Sequence, residues 1–268
     1  VLFEGPIGKK NDKGIANSSF LVSAKHSYLE QTSKVLYPYA ETEYDGLPFS
    51  FTDVYGKYTF QSKGGSQLNL FGFSFSDGVQ FGGDKSINWN SKGYGADFTI
   101  VPPSSATLIR GNLAFSDYVI NSSEIPGQPR ESSISGFNGG LDFTYFLRKS
   151  DEVRYGFQAI GYATDLLLTN EVGTKIRQNE NTTEMAGYVT YRCVSNRWVV
   201  NPGFRMHYYG SIGEFSMEPR LGFKFKLNEK MRVKASGGLY SQNLVAANSD
   251  RDVVNLFYGF LSGPTNLP

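Results

Sequence analysis

The 268-residue chain carries a formal net charge of +1, which gives no global basis for nucleic-acid binding, and one cysteine, Cys193, which excludes an intrachain disulfide. Hydrophobic residues make up 40% and aromatics 15%, with 17 Tyr, 21 Phe and 30 Gly, a balance that suits a membrane-spanning β-barrel better than a helical protein. No run of about 18 apolar residues occurs, so no transmembrane helix is expected; strands cross membranes without one.

Residues 1–8 read as the tail of an incoming strand and residues 9–18 as a polar turn. Eleven strands are expected after them, at roughly 19–29, 51–61, 67–76, 88–101, 106–119, 135–148, 152–168, 183–194, 197–210, 216–227 and 231–243. No helix longer than two turns is expected. Five connections are short: 62–66, 102–105, 149–151, 195–196 and 228–229. Longer ones fall between them, at 30–50, 77–87, 120–134, 169–182, 211–215 and 244–268. Outer-membrane barrels alternate in this way, with short turns on the periplasmic side and longer loops outside.

The alternation is strictest in residues 218–240. Leu221, Phe223, Phe225, Val233 and Leu239 take one parity; Glu218, Arg220, Lys224, Arg232 and Lys234 take the other. Arg205 falls on the charged parity of its own strand. Period two with one apolar and one charged face fits lipid outside and water inside. These six charged residues are therefore expected to face a lumen, because Arg or Lys on the lipid face near the midplane costs about 2–4 kcal/mol. Strand 67–76 breaks the rule. Leu68 and Leu70 oppose Phe71, Phe73 and Phe75, and a bulge near Leu70 would reconcile them. Tyr28, Tyr58, Phe60, Trp89, Tyr118, Phe146, Trp198, Tyr208 and Tyr240 sit near strand ends, where interfacial girdles would place them.

Catalytic chemistry finds little support. His26 and His207 lie on separate strands, without metal-ligand spacing to the lone cysteine, so neither a metal nor a cofactor is expected. No nucleophile elbow, phosphate loop or dinucleotide fingerprint is present, and an enzyme is not expected. The loops are richer. Tyr37 and Tyr39 in one, and Arg251 and Asp252 in another, combine aromatic and charged groups suited to capturing a ligand at a barrel mouth.

Several phrases then resemble a known family in order and spacing: LFEGPIG, SSFLVSAKHSYL, LPFSFTDVYGKYTF, NLFGFSFSDG, GLDFTYF, NTTEMAGYVTY, FSMEPRLGFKFKLNEKMRVKASGGLYSQNL and SDRDVVNLFYGFLSGP. Together they look like the barrel of a TonB-dependent outer-membrane receptor of the carboxypeptidase-regulatory-like-domain type. The resemblance spans essentially all of residues 1–268, as one partial barrel domain of a longer chain. It implies integral outer-membrane localisation, a plug domain and the TonB complex as partners, and active uptake of a scarce nutrient such as an iron chelate, vitamin, glycan or peptide. It places this chain from the end of the second barrel strand to the loop after about the thirteenth, without plug or later strands. A passive porin and a secreted soluble β-sandwich that binds glycans are the alternatives. Eleven antiparallel strands with both ends pointing outward cannot close all-next-neighbour, so an open up-and-down sheet is expected, with aggregation-prone edges.

Overall fold

The computed structural model describes residues 1–10, 16–37, 47–80, 85–123, 129–148, 150–169, 173–242, 244–247 and 259–262. Twelve antiparallel strands form one sheet in which every strand pairs with its sequence neighbours. They are β1 (Leu2–Lys10), β2 (Ala16–His26), β3 (Phe49–Gln61), β4 (Gln67–Gln80), β5 (Ser86–Ile100) and β6 (Thr107–Ser123), followed by β7 (Arg130–Phe146), β8 (Glu152–Thr169), β9 (Lys175–Val194), β10 (Trp198–Tyr209), β11 (Glu214–Lys226) and β12 (Arg232–Gly238). The sheet is open, with β1 and β12 as its edges, and this single layer sets aside the β-sandwich. A separate antiparallel pair is formed by β13 (Leu244–Ala247) and β14 (Gly259–Ser262), and β14 lies against β7, β8 and β9. One short helix, α1 (Leu29–Leu36), occupies the β2–β3 connection. The buried Ser33 on α1 accepts a hydrogen bond from the Leu47 amide at 2.7 Å and ties that connection together.

Three expectations change. The incoming tail is a full strand: β1 pairs with β2 from Leu2↔Ser23 to Ile7↔Ser18, so the sheet has twelve strands, not eleven. Strand β4 has no bulge, since its register to β3 runs one-for-one from Phe49↔Val79 to Gln61↔Gln67. Most of the longer connections are strand. β4 and β5 are joined across 81–85, β6 and β7 across 124–129, β8 and β9 across 170–174, and β10 and β11 across 210–213. The longest strands, β8 with 18 residues and β9 with 20, are far longer than a tilted bilayer crossing of about 9–11 residues needs.

Directly opposed residues share a face of the sheet, so the registers sort every side chain. Arg205 stands opposite Glu218 and Tyr188, while Phe204 stands opposite Pro219 and Val189. These are called the Arg205 face and the Phe204 face. The end of the sheet at 62–66, 147–151 and 227–231 is the near end, and the opposite end is the far end.

In the near half, the Phe204 face is a broad apolar band. Leu113 stands opposite Ala96 and Gly139, and these lead on to Leu70 and Ala159. Phe157 is 67% exposed and Met217 64%, so a surface of this size needs a non-aqueous neighbour. The Arg205 face there is hydrophilic. Thr59 and Gln67 both donate to Asn69 Oδ1, at 2.8 and 2.9 Å, and Asn69 donates to Asp97 at 2.7 Å.

Beyond the middle of β5–β9 the two faces exchange character. On the Arg205 face, Ile87 and Ile120 are buried and pack with Trp89, Tyr118, Leu166 and Leu168. On the Phe204 face, the far end presents Asn121, Ser133, Asp165, Arg177 and Asn179. The crossover is sharp. The Tyr94 ring stacks on Phe115 at 5.3 Å, and two residues farther along, Lys92 pairs with Asp117 at 3.3 Å. An aromatic rim followed at once by an exposed ion pair is what a bilayer interface selects. Trp89, Tyr118, Phe146 and Tyr240, read from the sequence as girdle residues, fall on the Arg205 face by register or strand parity and leave that girdle. Tyr58, Phe60, Trp198 and Tyr208 remain on the Phe204 face.

The rows of β4 have a local cause. Phe71 stands opposite Gly95 and Phe73 opposite Gly93. A Cβ built on Gly95 would come within 2.9 Å of the Phe71 ring, and one on Gly93 within 2.8 Å of the Phe73 ring. The two rings lie flat over the neighbouring glycines on the Arg205 face, which lets large aromatics sit on an otherwise polar row.

Candidate functional site

On β9–β11 the Arg205 face brings together three buried ionisable side chains. Glu184 on β9, His207 on β10 and Glu218 on β11 are 7%, 7% and 2% exposed. A tight turn fixes their alignment. Gly210–Gly213 joins β10 to β11, Gly213 adopts a left-handed φ of 71°, and His207 consequently stands opposite Ser216.

His207 Nε2 lies 3.1 Å from Glu184 Oε2, and His207 Nδ1 lies 3.9 Å from Glu218 Oε1. The Tyr162 hydroxyl donates to Glu184 Oε1 at 2.6 Å. Glu218 accepts from the Arg220 guanidinium, from the Ser241 hydroxyl, and from the Ser241 amide at 3.1 Å. Tyr209 stacks on His207 with ring centroids 4.3 Å apart and donates to Ser241 Oγ at 2.7 Å. The Arg220 guanidinium also covers the Tyr240 ring at 4.6 Å. Two buried carboxylates thus share one imidazole and one guanidinium, and nearly every lone pair is engaged. Such a network rigidifies a wall and presents little reactive surface.

The six charged residues singled out from the sequence stand on one face by register. Arg205 Nη2 donates to Gln158 Oε1 at 2.9 Å. Glu218 and Arg220 belong to the buried network. Lys224 stands opposite Lys234, and Arg232 opposite Lys226. The loop candidates do not form a described site. Tyr37 closes α1, its amide donating to the Ser33 carbonyl at 2.8 Å. Tyr39, Arg251 and Asp252 lie outside the described residues. Sequence reading missed Tyr162, Glu184, Tyr209 and Ser241 as members of one cluster. Tyr162, Glu184 and Tyr209 obey the polar parity and Ser241 lies beyond the end of β12, but their convergence depends on cross-strand register, which one sequence does not print.

A second feature of this face lies at the far end. Ser132, Thr164 and Thr182 are 0%, 3% and 4% exposed, on the strands against which β14 lies. The far-end Arg205 face is therefore covered, and its apolar groups at Ile87, Ile120 and Leu166 form a small dry core.

Solved structures share this fold. The chain is similar to the siderophore receptor PirA from Pseudomonas aeruginosa, with a TM-score of 0.65 and 14% identity over 99% of this chain and 45% of that one. It is similar to a mutant form of the ferric enterobactin receptor of the same organism, with a TM-score of 0.65 and 11% identity over 92% of this chain and 40% of that one. The ferric citrate transporter FecA matches with a TM-score of 0.58 and 12% identity over 88% of this chain and 40% of that one. The fold is that of an integral outer-membrane receptor barrel. The outer-membrane barrel resemblance read from the sequence agrees with that fold. This chain spans less than half the length of the chains it matches. No protein-family model matches the sequence, nor does any curated protein.

Proposed function

We propose that this chain is part of the wall of an outer-membrane receptor that takes up a scarce nutrient, driven by the TonB complex acting through a plug domain of the same protein. The observation that carries the reading is the exchange of faces. An apolar band wraps one side of the near half, and the same side becomes polar beyond the Tyr94–Phe115 rim and the Lys92–Asp117 pair. That pattern supports a reading with the band in lipid, the far end outside the cell and the Arg205 face toward a lumen. Arg205, Glu218, Arg220, Lys224, Arg232 and Lys234 then face water or the plug. The names of the similar structures, which speak of siderophore reception and ferric citrate transport, favour uptake over passive flow.

Nutrient entry is followed in cells carrying the full-length protein, with and without an uncoupler of the inner-membrane proton gradient. Uptake that stops with the uncoupler is the expected result. Uptake that continues unchanged selects the passive porin instead. In this reading the loops around Tyr37, Tyr39, Arg251 and Asp252 meet the nutrient first. Replacing these four with Ala weakens ligand binding and leaves barrel assembly intact; unchanged affinity for an identified ligand removes them from the site.

A further inference from the structure

The near-end Arg205 face of β11 and β12 carries a charge arrangement that the fold does not need. Lys224 stands directly opposite Lys234, and Lys226 directly opposite Arg232. Directly opposed residues sit about 4.5–5.5 Å apart at Cβ, and like charges placed so destabilise a sheet. The two pairs are two residues apart along each strand, about 6.8 Å. The four cationic side chains thus spring from a patch of about 5 by 7 Å at Cβ. Nearby carboxylates are already engaged: Glu152 by Arg154 at 2.7 Å and Arg192 at 3.7 Å, and Glu218 by Arg220. Among the described residues none of the four cations makes an ion pair, and Lys226, Arg232 and Lys234 are exposed.

We propose that this patch binds a small multivalent anion bearing carboxylate or phosphate groups. The inference rests on the reading that the Arg205 face lines a water-filled lumen, and it extends that reading to the chemistry of a solute held on the path. Charge complementarity identifies the occupant, and the patch dimensions limit its size. The flanking positions on this face are Val199, Asn201, Gly222 and Ser236, which give a protein partner no aromatic anchor. A compact anion needs none. It accepts hydrogen bonds from several heads at once and removes the repulsion between the opposed pairs.

The test uses the full-length protein in detergent micelles, with citrate and inorganic pyrophosphate as probes and glucose as the neutral control. Binding of at least one anion, with a rise in Tm that glucose does not give, is expected. If only one of the two anions binds, it assigns the patch to carboxylate or to phosphate. Lys224→Gln with Lys234→Gln lowers the anion affinity more than about tenfold, since charge-assisted hydrogen bonds are lost. Lys230→Gln, in the adjoining turn, leaves it unchanged. No response of the parent protein to either anion overturns the proposal, and that arm stands even where the double variant fails to assemble. Equal affinity in the double variant also overturns it, as does a Glu-rich peptide that binds where the anions do not. A Lys234→Cys probe in a Cys193→Ser background separates the two readings. Labelling by a water-soluble thiol reagent without any anion response removes the anion site alone. Absence of labelling removes the lumen assignment as well.

Discussion

The near half of the sheet and the far ends of β5–β9 are built from the same alternating strands, yet they turn their apolar rows to opposite faces. Near the short turns, Leu113 and Phe157 point to one side and Asn69 and Asp97 to the other. Some way along the same strands, Ile120 is buried and packs with the half-buried Leu166, and both stand on the polar row's side. A strand has no fixed inside. Its period of two offers both faces, and the solvent on each side decides which one carries the apolar groups. Where lipid lies outside, the outer row is apolar; where water lies outside, the outer row is polar and the inner row makes the core.

The largest expected effect attacks this contrast directly. Leu113→Arg puts a charge in the apolar band at a cost of about 2–4 kcal/mol and should block assembly into the outer membrane. Ser133→Arg, on the same face at the far end, should assemble normally, because surface substitutions stay within about 0.5 kcal/mol. Heat-modifiable mobility on gels reads both, and equal behaviour of the two variants breaks the comparison.

Next in size is the buried network. Glu218→Gln removes the carboxylate that holds Arg220 and Ser241 and should cost about 1–3 kcal/mol in resistance to denaturant-induced unfolding from micelles. Stability equal to the parent would show that the network is dispensable. Ile120→Val trims one methylene from the far-end core and should cost about 0.5–1.5 kcal/mol. Its effect should appear as faster hydrogen exchange in β6–β8 and leave the near half unchanged.

The smallest effect concerns the far-end outer row. Arg177 Nη2 reaches Asp165 Oδ2 at 2.6 Å, and this hydrogen bond holds the Asp165 carboxyl below its ordinary value. A depressed carboxylate contributes stability above its unfolded pKa and loses it as pH falls through the folded one. The pair should therefore be present at neutral pH and vanish below the usual carboxylate range. Arg177→Gln should erase that acid-side step in a pH series and change little at pH 7, because the pair is exposed.

The near half was legible because its parity is strict. From Phe137 to Leu147, and again from Leu221 to Phe225, every second residue is apolar or glycine, and lipid enforces the rule over the whole crossing. The far ends were read as loops for two physical reasons. Ser132, Ser133, Asn179 and Asn181 give both faces polar side chains, so alternation fades. The apolar row also changes sides, and a reader who follows one parity sees it end. β1 was read as a tail because its pairing with β2 is the evidence for it, and pairing is not local. The charged row from Glu218 to Lys234 was visible as a row, whereas the meeting of Tyr162, Glu184 and His207 was not. That meeting requires the stagger of three strands, β8, β9 and β10.

The rings of Phe71 and Phe73 on Gly95 and Gly93 carry a consequence for how this sheet varies over time. With 2.9 and 2.8 Å between ring and would-be methyl, neither glycine accepts alanine while its phenylalanine keeps its present place. A smaller residue at position 73 would in turn leave bare backbone where the ring now lies. The Leu113 and Phe115 carbonyl oxygens come as near, at 2.7 and 2.8 Å, so a smaller ring alone does not make room for the methyl. The glycines are therefore the fixed members of each pair over descent and the rings the variable ones, and alanine at position 95 or 93 should destabilise the sheet even beside a smaller residue at 71 or 73.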